Sequence, residues 1–160
     1  MDYKPDWATN KLNDLVGSQE LYFDLTCFEE LSSPEQALLG TWELAAEVYN
    51  GGFMQYFHNS SRDHAKPMVE ILRSIDAHRA AAILESAIAL AGPGTRWADE
   101  PNFVRAIESL PVDIRDRLSE LERNLCDILD SVYLLVFRYL SQHRNQFDVP
   151  ADFWMEAATQ

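Results

Sequence analysis

Apolar residues recur at helical spacing along most of the chain, and the strict alternation that marks a half-buried strand is nearly absent. Leu21, Leu25, Phe28 and Leu31 share one face over residues 19–31, which predicts a first helix there. Ser33-Pro34-Glu35-Gln36 then reads as a capping box. Ser33 is the expected N-cap, Pro34 takes the tolerated first position, and Gln36 reaches back. The helix that follows, 34–49, is apolar around most of its circumference. Only a narrow stripe of Gln36, Gly40, Glu43 and Glu47 is polar, so this helix belongs at the centre of a core.

Asn50-Gly51-Gly52 ends that helix, because glycine accepts the left-handed backbone of a C-cap. Phe53 to Phe57 restart a short helix beyond a sharp corner. Two further helices are expected at 66–77 and 78–91, the second rich in alanine. Gly92-Pro93-Gly94 is a firm break, and a helix near 100–109 precedes Pro111. A long helix from 113 to 144 carries Leu118, Leu121, Leu125, Ile128, Val132 and Val136 on one arc. Pro150 sets off a short tail, 150–160, with Phe153 and Trp154. No repeat and no linker interrupts this order. The expected architecture is all-α: one domain, 1–160, of seven or eight helices with a Gly-Gly corner between two core helices.

At 160 residues with 47% hydrophobic content, the chain can bury a real core without metals or disulfides. Charge is the unusual feature. Twenty-six acids face 13 bases, giving a formal net charge of −13. Such a chain repels phosphate, which excludes general nucleic-acid binding and disfavours anionic membrane surfaces. The most apolar uncharged stretch, Val132 to Phe137, is six residues, whereas a spanning helix needs about 20. The start, Met1-Asp2-Tyr3-Lys4-Pro5-Asp6, lacks the basic and apolar regions of a signal peptide. Cys27 and Cys126, the only cysteines, lie in apolar helical contexts and are expected to be buried free thiols. A cytoplasmic protein is the expectation.

Catalytic signatures are missing. The chain has no GxxxxGK[ST], GxGxxG, GxSxG or HExxH, and no His stands three residues after a Glu. His58 and His64 flank Asp63 at a spacing that fits no usual zinc pattern, and they read as polar loop histidines. Glu43 and Glu47, one turn apart, read as a helix edge rather than an acid/base pair. No metal, no cofactor and no catalysis are expected.

The most informative stretch is 47–60. The glycines permit a tight turn, Phe53, Tyr56 and Phe57 fill the core, and Gln55 and Asn59 can hydrogen-bond backbone exposed at the break. This stretch resembles the signature Glu-x-x-Asn-Gly-Gly-Phe-x-Gln-Tyr-Phe-x-Asn-Ser of a bacterial DNA-mimic family, whose domain was first catalogued as one of unknown function. Glu47, Asn50, Gly51, Gly52, Phe53, Gln55, Tyr56, Phe57, Asn59 and Ser60 meet every fixed position. Weaker echoes are the Ala-rich helix at 76–91 and Leu129-Asp130-Ser131-Val132-Tyr133. The resemblance spans roughly residues 10–140. It implies an all-helical homodimer. It also implies that carboxylates stand in for DNA phosphates and occupy the DNA-binding face of a helix-turn-helix transcription regulator. Surplus aromatics, namely Tyr22, Phe23, Phe153 and Trp154, agree with an interface between copies.

Mimicry requires clustered charge. Duplex DNA carries one charge per ~1.7 Å of axis, or roughly one per 100 Å² of its cylinder. The average over a protein of this size falls about sixfold short. The acids are segregated, however: from Leu12 to Ser61 there is no Lys or Arg. Eight acids lie there, Asp14 together with Glu20, Asp24, Glu29, Glu30, Glu35, Glu43 and Glu47. The last seven are the candidate partner-binding face. Carboxylates four apart on a helix rise about 6 Å, close to the gap between phosphates on one strand. A rival stripe, Asp113, Asp116, Glu120 and Asp127, is blunted by Arg117 and Arg123 at helical spacing. Two function classes stay open: an acidic binding protein aimed at a DNA-binding partner, and a small-molecule-binding or immunity-type protein with a pocket near Asn50-Gly51-Gly52.

Overall fold

In a computed structural model, residues 5–92 and 100–155 are described. Among them are seven α-helices, short 3-10 turns and no strand. The first helix, α1, is Pro5–Leu25, longer and earlier than expected. Ala8, Leu12, Leu15, Val16 and Phe23 form its buried side. That row fixes which way the helix faces, and it leaves Leu21 and Leu25 on the opposite side, 73% and 78% exposed. Phe23, expected outside the apolar arc, is buried instead. Phe28 belongs to a separate 3-10 turn, Phe28–Glu30, and both Phe28 and Leu31 are buried. Cys27 is exposed and Cys126 half-buried, so the expectation of two buried thiols fails at Cys27, which sits in the link after α1.

The second helix, α2, is Ser33–His58, and its cap lies one residue earlier than the sequence suggests. The Ser32 backbone N–H donates to Glu35 Oε2 at 2.8 Å, and the Glu35 N–H donates to Ser32 Oγ at 3.5 Å. Both serines fit the motif. The ionised Glu35 is a stronger acceptor than an amide, and Gln36 instead donates to the Phe28 carbonyl at 2.9 Å. Gly40, expected on the polar stripe, is buried, and the Met68 side chain occupies the space where a Cβ would project. This brings the third helix, α3 (Ala65–Ser74), against α2.

As expected, the helical backbone ends at Gly51-Gly52 and restarts at Phe53, so that α2 is two helical halves joined across a kink. Gly51 has φ −162° and ψ 18°, and Gly52 has φ 73° and ψ −170°. Beyond the kink Phe53, Tyr56 and Phe57 are fully buried. The α3 helix closes in a Schellman motif, with Asp76 in the left-handed region at φ 64°. Ala77 N–H reaches Leu72 O at 2.8 Å, and Asp76 N–H reaches Arg73 O at 3.1 Å. The fourth helix, α4, is His78–Ala91, and Gly92 caps it at φ 118°. Pro93 and Gly94 of the expected break lie outside the described residues. The fifth, α5, is Glu100–Glu108.

The long helix expected at 113–144 is two: α6, Val112–Cys126, and α7, Leu129–Gln142. No Gly or Pro marks the join. Packing explains it, since α6 lies against α2 and α4 whereas α7 lies against α1 and α2. The tail after Pro150 folds back, and Trp154 is buried against Phe137 and Phe147 at ring distances of 5.5 and 5.9 Å. Trp154 therefore serves the core of one protomer and not an interface. α2 is the hub of the core and packs on α1, α3, α5, α6 and α7.

Candidate functional site: an acidic outer edge beside a polar seam

The base-free stretch folds into α1, the 3-10 turn and α2, and its acids separate into two environments. Glu20 and Asp24 stand exposed on α1, one turn apart. Glu29 and Glu30 stand exposed on the 3-10 turn. Beside this turn, Phe28 stacks on the His64 ring, with centroids 4.0 Å apart and planes at 14°. The Gln36 amide holds the Phe28 carbonyl. The turn is thus fixed on both sides, and its two carboxylates are held outward.

None of Asp14, Glu20, Asp24, Glu29, Glu30 and Glu35 has a Lys or Arg within 4 Å among the described residues. Arg62, the first arginine after the base-free stretch, is turned inward. It is 3% exposed, and its Nη1 donates to the carbonyls of His58 and Asn59, both at 3.0 Å, at the end of α2. It satisfies helix carbonyls left without intrahelical partners.

Three candidate acids lie elsewhere than on an outer face. Glu35 is half-buried in the cap. Glu43 is half-buried, and its Oε2 accepts from Nδ1 of His64 at 2.6 Å. Glu47 Oε2 accepts from the Gln55 amide at 2.6 Å and from the Asn59 amide at 2.9 Å. The stripe on α2 faces a polar seam against the turn Ser60–His64 and the part of α2 past the kink. The outer edge of α2 is taken by Trp42 and Tyr49, and the acidic stripe lies off that edge. Burial, with the charges of Glu43 and Glu47, raises the pKa of the Tyr56 phenol between them.

Sequence reasoning missed His64, read as a loop residue. Its signal lay in tertiary placement alone, since Glu43 is 21 residues away. The rival stripe on α6, Asp113, Asp116, Glu120 and Asp127, is exposed, and so are Arg117 and Arg123. The expected contacts do not form: no ion pair within 4 Å joins these charges among the described residues.

At the corner, Gly52 is buried, and the Glu122 carboxylate of α6 fills the place where its Cβ would project. The signature residues Glu47, Gly52, Phe53, Gln55, Tyr56, Phe57 and Asn59 thus build the kink and its clamp. Asn50, Gly51 and Ser60 are exposed around it. A shallow cleft beside the corner is lined by Met54, Gln55, His58, Asn59, Ile107 and Glu108, but Gln55 and Asn59 are already engaged by Glu47.

Residues 29–143 match the model of the DMP19-like protein family. The chain belongs to this family. The match covers the whole signature and the acids from Glu29 to Glu47. α1, with Glu20 and Asp24, precedes it, so that part of the DMP19-like chain's acidic edge lies outside what the family model describes. No curated protein and no solved structure matches the chain. Membership places it with DNA-mimic proteins, in keeping with its charge. No described helix of this DMP19-like protein is long and apolar enough to cross a membrane.

Proposed function

We propose that this protein is a DNA mimic that binds the DNA-contacting surface of a helix-turn-helix transcription regulator and keeps it from its operator. It acts by occupancy, without catalysis or cofactor. The observation that supports this reading is the exposure of four acids of the base-free stretch, Glu20, Asp24, Glu29 and Glu30. These carboxylates are exposed, and no Lys or Arg within 4 Å among the described residues neutralises them. The formal charge of −13 on 8878 Å² of surface averages about one per 700 Å², far sparser than DNA, so a local edge must do the binding. Long-range attraction speeds encounter with a basic partner, and the shape of the edge supplies selectivity. Glu35, Glu43 and Glu47 act behind this edge, positioning the turn and the corner.

The same reading includes a symmetric homodimer. Phe23 and Trp154 no longer argue for it, but Leu21, Tyr22 and Leu25 leave apolar surface on the outer side of α1. Light scattering should give twice the chain mass, and a monomer would remove this part.

The functional test is competition between this protein and operator DNA for a purified helix-turn-helix regulator. Glu29→Lys with Glu30→Lys should compete at least about tenfold less well, because two charges reverse where no Lys or Arg lies within 4 Å among the described residues. Its melting temperature should stay near that of the wild type, since exposed acids contribute little to stability. Asp113→Lys with Asp116→Lys should matter less, because the exposed Arg115, Arg117 and Arg123 share α6 with these acids and offset their field without pairing. Wild-type affinity should fall more than about tenfold between roughly 50 and 200 mM salt. Failure to capture any DNA-binding regulator even at low salt would sink the proposal.

A further inference from the structure

A groove of about 430 Å³ runs between α1 and α2. That volume lies within the range of small-ligand sites, about 300–1,000 Å³. Val16, Phe23 and Leu39 give it an apolar floor, and Trp42, 37% exposed, forms one side. Glu20 and Asp24 stand along the opposite rim, one turn apart on α1, and Glu43 closes the inner end. Gly17 opens the mouth: a Cβ built there meets nothing within 4 Å.

This combination selects its occupant. An apolar peptide would leave the rim carboxylates desolvated without a partner. An anion would be repelled. A second copy would bring no Lys or Arg from residues 12–61 to answer the rim carboxylates, and its contact is better met by the apolar Leu21, Tyr22 and Leu25. A long basic side chain satisfies every surface at once. Its aliphatic stem covers the floor, its cationic head lies over the indole, and its N–H groups reach the carboxylates. A planar guanidinium suits this better than an ammonium, because it stacks on an aromatic face and offers several donors in one plane.

We propose that the α1/α2 groove is a receptor for an arginine side chain of the basic partner. This deepens the proposed function, for it rests on the partner being a DNA-binding protein and names the group by which that protein is gripped. The acidic edge guides the partner in, and the groove takes one anchor residue in a desolvated pocket, where interface energy concentrates.

The test uses Gly17→Leu, which fills the mouth without changing any charge. Gly17 lies within α1 and its Cβ has room, so the replacement favours the helix and the fold should hold. The probe is a capped tri-arginine peptide at physiological salt, followed by nuclear magnetic resonance at the Trp42 indole N–H. The wild type should show a saturable shift there and at the amides of Glu20 and Asp24. Tri-lysine should bind at least about threefold more weakly. Gly17→Leu should weaken tri-arginine binding at least about tenfold, while Glu29→Lys with Glu30→Lys should leave the Trp42 shift in place.

Shifts spread evenly over the acidic surface, or tri-arginine binding unchanged in Gly17→Leu, would overturn the proposal. So would a drop from dimer to monomer mass in Gly17→Leu, which would assign the groove to a second copy. The two readings fail separately. If tri-arginine titrates Trp42 but no regulator is captured, the groove stands and the DNA-mimic reading falls. If Gly17→Leu captures a regulator as well as the wild type does, the mimic reading stands and the groove falls.

Discussion

The Glu47 carboxylate holds the Asn59 amide at 2.9 Å across the kink of α2, twelve residues further along the chain. The same oxygen takes the Gln55 amide at 2.6 Å. A straight helix would carry residues twelve apart about 18 Å along its axis. The turn at Gly51-Gly52 brings them together, and the carboxylate fixes the angle between the two halves. Removing it in Glu47→Ala would strand two part-buried amides, at a cost of about 1–3 kcal/mol. Glu47→Gln should cost less, because a single carbonyl oxygen can accept from both donors. Urea unfolding of the two variants checks this. Equal losses would show that the charge, and not the acceptor oxygen, matters.

Gly52 has two reasons to be glycine. Its φ of 73° suits no β-branched residue, and the Glu122 carboxylate fills the place of a Cβ. Gly52→Val should therefore destabilise by at least about 2 kcal/mol. At Gly51 a Cβ would meet the Gln55 side chain, whose amide can swing away but whose own Cβ, 2.8 Å off, is fixed to the helix and must shift with it. Gly51→Ala should cost more than the ~1 kcal/mol of the Gln55–Glu47 hydrogen bond, yet less than Gly52→Val, where a positive φ adds to the clash. The ranking from denaturant midpoints is the check.

The two thiols should separate under alkylation. Cys27 is exposed, whereas Cys126 is half-buried, and burial, with Glu122 and Asp127 nearby, raises the Cys126 thiol pKa. Because the thiolate is the nucleophile, a neutral alkylating reagent at mildly alkaline pH should modify Cys27 first. Peptide mapping over time reads the order, and faster labelling of Cys126 would contradict its placement at the end of α6.

Alkali should unfold the protein through its buried phenols. Burial first, then the neighbouring Tyr49 and Asp130, push Tyr133 up to about 12, and burial also raises Tyr56. An unfolded tyrosine ionises near pH 10. Between about pH 10 and 12 the unfolded chain has already released the Tyr133 proton, and the folded chain still holds it. Stability is thus fully present below about pH 10 and falls by about 1.4 kcal/mol per pH unit above it for this group. Phenolate absorbance should rise late and together with the loss of helix signal. In Tyr133→Phe the loss of stability should begin less steeply.

The sequence by itself determined the all-helical class, the hub role of α2, the special backbone at Gly51-Gly52 and the segregation of acids before Arg62. Each is a local property: apolar spacing, the missing Cβ of glycine, and charge order along the chain. Tertiary structure decided which way the elements face. Leu21 and Leu25 have the spacing of a core row, but the Leu12, Leu15 and Phe23 row lies against α7 and α2 and turns them to solvent. The arc from Leu118 to Val136 is continuous as a wheel and broken in space, because its halves cover different neighbours. Glu43 and Glu47 are indistinguishable in sequence from a solvated edge, yet His64, Gln55 and Asn59 draw them into a seam. Charge and periodicity are written residue by residue. The side of a helix that meets water depends on what the rest of the chain places beside it.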